Sequence, residues 1–315
     1  IFYQGVVRQL LPQPIAMHRV FNIAITQFGE LRREGEKLHR MGDDELVTGL
    51  LADRLEPLET NPALGNLIEV TLQPVMIQGA TPAEREAAAR ELAEQVKAHV
   101  VIYGVMDLTD YQFYPEIYIS EQLAEVQELA ANGAASADPL SSQGELAGAL
   151  LFGDKIPFRM PLEKTSNAAD LSQRLEPRLE ALTYFMLGLA HYNNDFTAQA
   201  IESLTLAIES MEAPPPNLPQ DEKAPGLGVL YYFLGTAWTR QANYEADFDA
   251  RLEALENASE KYQTALEKTD HQYARAYLGL GNLALALATY FPEIDPDLLE
   301  EAIDQYTHVL ELMEA

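Results

Sequence analysis

The 315-residue chain carries 49 acidic against 21 basic side chains, a net charge of −28, and no cysteine. A surface of that sign repels phosphate backbones and anionic lipid, so no nucleic-acid partner is expected, and a basic or neutral protein partner fits better. The missing thiols exclude disulfides, thiolate metal sites and cysteine nucleophiles, and leave the redox compartment open. Apolar residues make up 47% of the chain, enough for a sizeable core, and the length suggests two domains. The acidity also has a plainer reading, in which it serves solubility alone.

Residues 1–18 form a lead-in broken by Pro12 and Pro14. Ile1 rather than methionine opens it, so a processed piece is expected, with any upstream segment outside the reading. "RVFNIAITQF" is predicted as a buried strand ending at Gly29. "DDELVTGLLADRLEPLE" is predicted as a helix capped by Asp43 or Asp44, with Leu46, Leu50, Leu51 and Leu55 on one face. "LIEVTLQPVMI" reads as a second strand, ended near Pro74. "TPAEREAAARELAEQVKA" reads as a helix with Thr81 as N-cap, Pro82 at the first position and Glu84 completing a capping box. "HVVIYGVM" is a nearly all-apolar strand, suited to the middle of a covered sheet, and "YPEIYIS" an alternating fourth. This order describes a small α/β domain with a partly parallel sheet, assigned to residues 19–165. "AANGAASADPLSSQG" (130–144) reads as a turn-rich loop, and "ELAGALLFGDKIPF" as the segment that closes the domain.

From 166 to 315 the chain reads as helical, interrupted by the proline-rich connector 213–228. A glycine stands inside an apolar helical run three times, at Gly188, Gly235 and Gly281, although each costs about 1 kcal/mol relative to alanine. Each follows a leucine (Leu187, Leu234, Leu280) and lies four residues after a tyrosine (Tyr184, Tyr231, Tyr277). Each is followed by a second apolar pattern: Ala200, Leu204, Ala207; then Ala258, Tyr262, Ala265; then Ala302, Tyr306, Val309. A glycine lets two helix backbones approach, so three matching sites predict one helix-pair unit used three times, near 181–214, 228–270 and 274–315.

This pattern resembles the tetratricopeptide repeat, with its Leu-Gly pair, spaced aromatics and later Ala-x3-aromatic. Trp238 adds to the match in the second copy. The sequence departs at His191 and Ala284, where the family has tyrosine, and lacks the closing proline, with Pro214 near it in the first copy. The glycines stand 47 and 46 residues apart, against about 34 for the family. The excess in "TRQANYEADFDARLEALEN" and "LATYFPEIDPDLLEE" predicts lengthened helices, and a HEAT-like pair is the competing reading. Residues 19–119 resemble the TolB amino-terminal-like domain, through "FNIAITQF", "LVTGLLADRLE", "ARELAEQVKAHVVIYGVM" and "YPEIYIS". That resemblance implies a bacterial signalling protein. A narrower group joins such a domain to repeats behind a membrane anchor, so an extracytoplasmic ectodomain and a cytoplasmic protein both stay open. The fold class expected is therefore α/β plus all-α.

The repeat resemblance implies a concave face lined by Phe185 and Leu189, Tyr232 and Thr236, Leu278 and Asn282, with Arg240 as a further polar contact. Carboxylate-clamp members carry lysine, asparagine and arginine at these positions; the mostly apolar or aromatic lining here implies an apolar or helical ligand instead. Packing of Phe185 and Tyr232 against neighbouring helices is the competing reading. No phosphate loop, nucleophile elbow or zinc motif occurs, and the "GLG" at 226–228 and 279–281 lacks the third glycine of a dinucleotide site. The histidines at 18, 39, 99, 191, 271 and 308 have no metal-ligand spacing, and "HYNND" (191–195) reads as an inter-helix turn. Glu245, Asp247, Asp249 and Glu253 resemble part of a calcium loop without its glycine, and a solvated helix start is preferred. Tyr111, Phe113, Tyr114 and Tyr118 beside Glu116 could stack on a sugar or hold a cation, and are read first as strand material.

No cofactor, metal or catalytic residue is expected. The function expected is a non-enzymatic scaffold that binds a peptide or protein, in signalling or assembly, with self-association through the terminal helices as a further possibility. A small-molecule sensor, with a pocket near Phe28–Gly29 and Gly104–Asp107, is the alternative. An enzyme with an unrecognised acid pair is the third reading.

Overall fold

The computed structural model describes residues 13–31, 38–40, 44–60, 62, 64, 67–79, 81–107, 112–120, 160–161, 168–212, 226–290 and 295–314. These fall into two compact units, one α/β and one helical, dividing between Leu179 and Glu180. The expected lead-in before Gln13, the loop 130–144, the closing segment 145–158 and the connector at 213–225 lie outside the described residues.

The α/β unit is built on a seven-stranded mixed sheet. Its long strands are β1 (Phe21–Gln27), β4 (Ile68–Met76), β5 (Val100–Asp107) and β6 (Gln112–Ile119). β1 runs parallel to β4 and to β5, and β6 is antiparallel to β5. β5 is the middle strand, and Val100–Tyr103 are buried along it, as its apolar run predicts. The unit also contains β2 (Gly29–Leu31), β3 (Leu38–Arg40) and β7 (Met160–Pro161). β1 ends at Gln27, close to the predicted end at Gly29. After Phe28, the chain resumes as β2, parallel to β5, and turns back antiparallel as β3. The hairpin "GELRREGEKLHR" is too charged to show an apolar alternation.

β4 runs past Pro74 to Met76. Ile25 pairs with Leu72 and Gln27 with Met76, so β4 carries a bulge around Gln73–Val75 and continues. β4 ends the path β3-β2-β5-β1-β4, and on an edge strand the missing proline N–H removes no ladder bond. The N–H of Val70 donates to Glu59 Oε1 at 2.7 Å. An acidic side chain and a proline thus occupy an edge that would otherwise invite another strand.

Helices cover the sheet. α1 (Asp44–Glu59) packs on β1 and β4, with Leu51, Leu55 and Leu58 buried. α2 (Pro82–Val96) has the predicted capping box: Glu84 N–H donates to Thr81 Oγ1, and Thr81 N–H to Glu84 Oε2, both at 3.2 Å. Its Ala89, Leu92, Ala93 and Val96 close over Ala24, Val101, Tyr103 and Tyr118. Ile23, Ile25 and Ile102 alternate to the other face and are equally buried.

The remaining helices are α3 (Ala168–Asn193), within which the division falls, α4 (Thr197–Glu212), α5 (Leu227–Tyr244), α6 (Phe248–Lys268), α7 (Ala274–Tyr290) and α8 (Pro296–Glu314). The α3–α4 and α6–α7 turns use left-handed residues: Asp195 at φ 61°, Asp270 at 51° and His271 at 60°. Asp tolerates this region better than most side chains. α5 and α6 run antiparallel, since Gly228 opposes Thr269 at one end while Gly235 opposes Tyr262 further along.

Candidate functional site

The three glycines mark the closest approach of each hairpin. A methyl group on Gly188 would stand 2.7 Å from Leu204, on Gly235 2.8 Å from Tyr262, and on Gly281 2.6 Å from Tyr306. These are the large residues that the sequence places on the second helix of each pair. Buried Ala200, Ala258 and Ala302 lie one turn before them. Tyr262 is held from both sides, because Gly279 of α7 also lies against its ring. Leu234 and Leu280 are buried, while Tyr184, Leu187, Tyr231 and Tyr277 are half-buried. Tyr231 donates to Glu212 Oε1 at 3.1 Å, and burial together with that carboxylate pushes its phenol up to about 12.

The seven residues assigned to a concave face are placed as follows. Phe185, Leu189, Tyr232, Thr236 and Arg240 are buried inside the helical unit, and Leu278 and Asn282 are half-buried. Phe185 meets Phe233 edge-on at 5.4 Å, and Tyr232 packs against Tyr262 and Tyr273. Thr236 Oγ1 donates to the Tyr232 carbonyl at 2.9 Å. The Arg240 guanidinium lies 3.4 Å from the centre of the Tyr192 ring, donates to the Tyr192 carbonyl and reaches Asp195 at 3.4 Å. Asn282 Oδ1 accepts from the Tyr306 hydroxyl at 2.8 Å. The side chains that mark the inner helices are thus occupied with one another. A third helix packs over what a helix pair alone would leave open.

The other flagged groups are also accounted for. His191 Nδ1 lies 3.1 Å from Ser203 Oγ, and burial lowers the imidazole below its usual range. Asn194 and Asp195 form the predicted turn, and Asp195 N–H donates to the Tyr192 carbonyl. Asp247 caps α6 by accepting from Ala250 N–H at 3.0 Å, which is the helix-start reading of that acidic stretch. Phe28 is buried, and Gly29 pairs with Val105, so the proposed pocket residues lie side by side in the ladder. Tyr111 lies outside the described residues, as do the side chains of Phe113 and Tyr114.

One constellation escaped the sequence. Arg85 donates through Nε to Glu116 Oε2 at 3.1 Å and through Nη2 to Oε1, a two-pronged ion pair between buried Arg85 and half-buried Glu116 that joins α2 to β6. Burial, followed by the Glu116 carboxylate, raises the Tyr103 phenol above its ordinary value. The available signal was the position of Arg85, one turn before Ala89 on the apolar row that continues through Leu92, Ala93 and Val96. Among the described residues no cluster of three or more His, Asp or Glu could hold a metal ion, and no helix is long and apolar enough to cross a membrane.

Together these features define a class: a chain that joins an α/β unit to a set of packed helix hairpins. No protein-family model matches the sequence, and no curated protein matches it significantly.

Proposed function

We propose that residues 166–315 form a tetratricopeptide-type array with lengthened helices, and that the chain is a non-enzymatic scaffold that holds a protein or peptide partner in signalling or assembly. The observation that supports this reading most is the repeated seat of Gly188 on Leu204, Gly235 on Tyr262 and Gly281 on Tyr306. One packing unit used three times is the construction of helical-repeat binding surfaces. The extra residues between the second and third glycines are shared between both helices of the pair, since α5 continues to Tyr244 and α6 starts at Phe248. The α/β unit is the TolB amino-terminal-like part of the same proposal.

The test is cross-linking mass spectrometry on partners captured by the full chain. Cross-links should fall on α3–α8. A partner that cross-links only to residues 13–120 would reject the scaffold assignment.

A further inference from the structure

We propose that the seam between β4 and the end of α2 is a seat for an extended peptide of a partner protein, and that the chain's own residues 13–19 occupy it in cis as a strap. The site lies in the α/β unit and stands apart from the scaffold reading of α3–α8. From Gln13 to Val20 there is no helix or strand. Side chains read the main chain of this segment instead. Ile15 N–H donates to Gln73 Oε1 at 2.7 Å, and Gln73 Nε2 donates to the Ile15 carbonyl at 2.8 Å. Glu69 Oε2 accepts from His18 N–H at 2.7 Å and from Arg19 N–H at 3.2 Å. Met17 N–H donates to the Val96 carbonyl at 2.9 Å.

One side chain anchors the strap. Met17 is buried in the cluster of Ala24, Ile77, Leu92 and Val96, whereas Gln13, Ile15, Ala16 and His18 are exposed. Main-chain hydrogen bonds plus a pocketed side chain are how proteins hold extended peptides. The elements of the seat are also held without the strap. β4 has its ladder with β1, and α2 has its capping box and its apolar row on the sheet. Release would expose one methionine and break no strand or helix, which places the strap at the low end of local stability.

Gln73 specifies the ligand. It is 0% exposed, and a buried amide is costly unless both its atoms are paired. It stands at the bulge of β4, and bulges re-aim side chains. With the strap released, its carbonyl needs a donor and its NH2 an acceptor, the pair that one residue of an extended main chain presents. The ligand is therefore an extended peptide with methionine or leucine two residues after the one that Gln73 reads. Arg19, whose guanidinium donates to the Ile68 carbonyl, marks the place of a basic side chain two residues further on. Two copies of this chain, each at −28, repel one another, which opposes exchange of the strap between them.

The full chain is titrated by fluorescence anisotropy with labelled QPIAMHRV, the sequence of residues 13–20. Full-chain Met17→Asp cannot seat its own strap. It should bind the peptide about tenfold tighter than the unaltered chain, whose strap competes at high effective concentration. The same peptide carrying Met17→Asp should bind neither protein. Adding Gln73→Leu to full-chain Met17→Asp should lower affinity about tenfold. Equal binding to Met17→Asp and to the unaltered chain, or equal binding of the two peptides, overturns the proposal. Hydrogen exchange on the unaltered chain decides the matter if Met17→Asp does not fold. The Ile15 and Met17 amides should exchange at least about tenfold faster than those of β1 and β5. Exchange at one common rate would show that the strap leaves only when the whole unit unfolds, which also overturns the proposal. A dimer in sedimentation that Met17→Asp abolishes would make a second copy the occupant and overturn the assignment to a partner. Failure of peptide binding leaves the cross-linking test of the scaffold reading untouched.

Discussion

His99 shows how one side chain can tie a strand start together and make it sensitive to pH. Its Nδ1 accepts from the Asn22 N–H at 2.9 Å, so the ring must be unprotonated there. The ring stacks on Phe21 at 5.9 Å, and its backbone receives Ser120 N–H and donates to the Asn22 carbonyl. Burial lowers the imidazole to about 4 from an ordinary 6.5. The unfolded chain therefore binds the proton first. The contribution is whole above pH 6.5 and is lost progressively as pH falls toward 4. Integrated over that window it is about 3 kcal/mol at most. The expected result is a thermal midpoint for the α/β unit that falls between pH 7 and 5, with a shallower slope in His99→Gln. Parallel slopes in the two proteins would show that His99 titrates normally. The variant removes only this imidazole, so the difference between the two slopes isolates one group.

At the scale of helices, the closeness of a hairpin is set by what its glycine lacks. Gly281→Ala gains about 1 kcal/mol of helix propensity. It also drives a methyl group into the Tyr306 ring, a rigid neighbour that must move with α8, at a cost of about 1–3 kcal/mol. Net destabilisation of about 1 kcal/mol is expected in chemical denaturation. Gly49 in α1 has open space around it, so Gly49→Ala should stabilise by up to about 1 kcal/mol. A stabilising Gly281→Ala would show that the hairpin is looser than described. These contacts were legible because an internal glycine contradicts helix propensity, and a contradiction repeated with the same neighbours carries information. The capping box of α2 and the apolar β5 were legible for the same reason, since each rests on local chemistry. The β2–β3 hairpin was not, because short charged strands are specified by the strand they join. The burial of Phe185 and Tyr232 was one of two readings that the sequence left open, and that of Arg240 was not read at all. Helical period says which residues share a face, while a third helix decides whether that face is open. Arg85 stood on an apolar row with its partner Glu116 a strand away, a relation that only the tertiary fold supplies.

At the scale of the whole chain, the surplus of acidic side chains acts against the compact state. With 21 bases for 49 acids, at least 28 acids have no base to match, whatever the geometry. From residue 179 onward the imbalance is six against 23, so the repulsion is concentrated in the helical unit. Its described ion pairs include Lys268–Glu212 at 3.3 Å and Lys261–Glu260 at 2.7 Å, and exposed pairs of this kind contribute little. Like-charge repulsion across the surface should therefore dominate at low ionic strength, where the screening length is about 30 Å. At about 0.15 M it shortens to about 8 Å, and most of that repulsion disappears. Calorimetry should show Tm rising by a few degrees between about 10 and 150 mM NaCl. A Tm that falls with added salt would mean that attractive pairs outweigh the surplus acids.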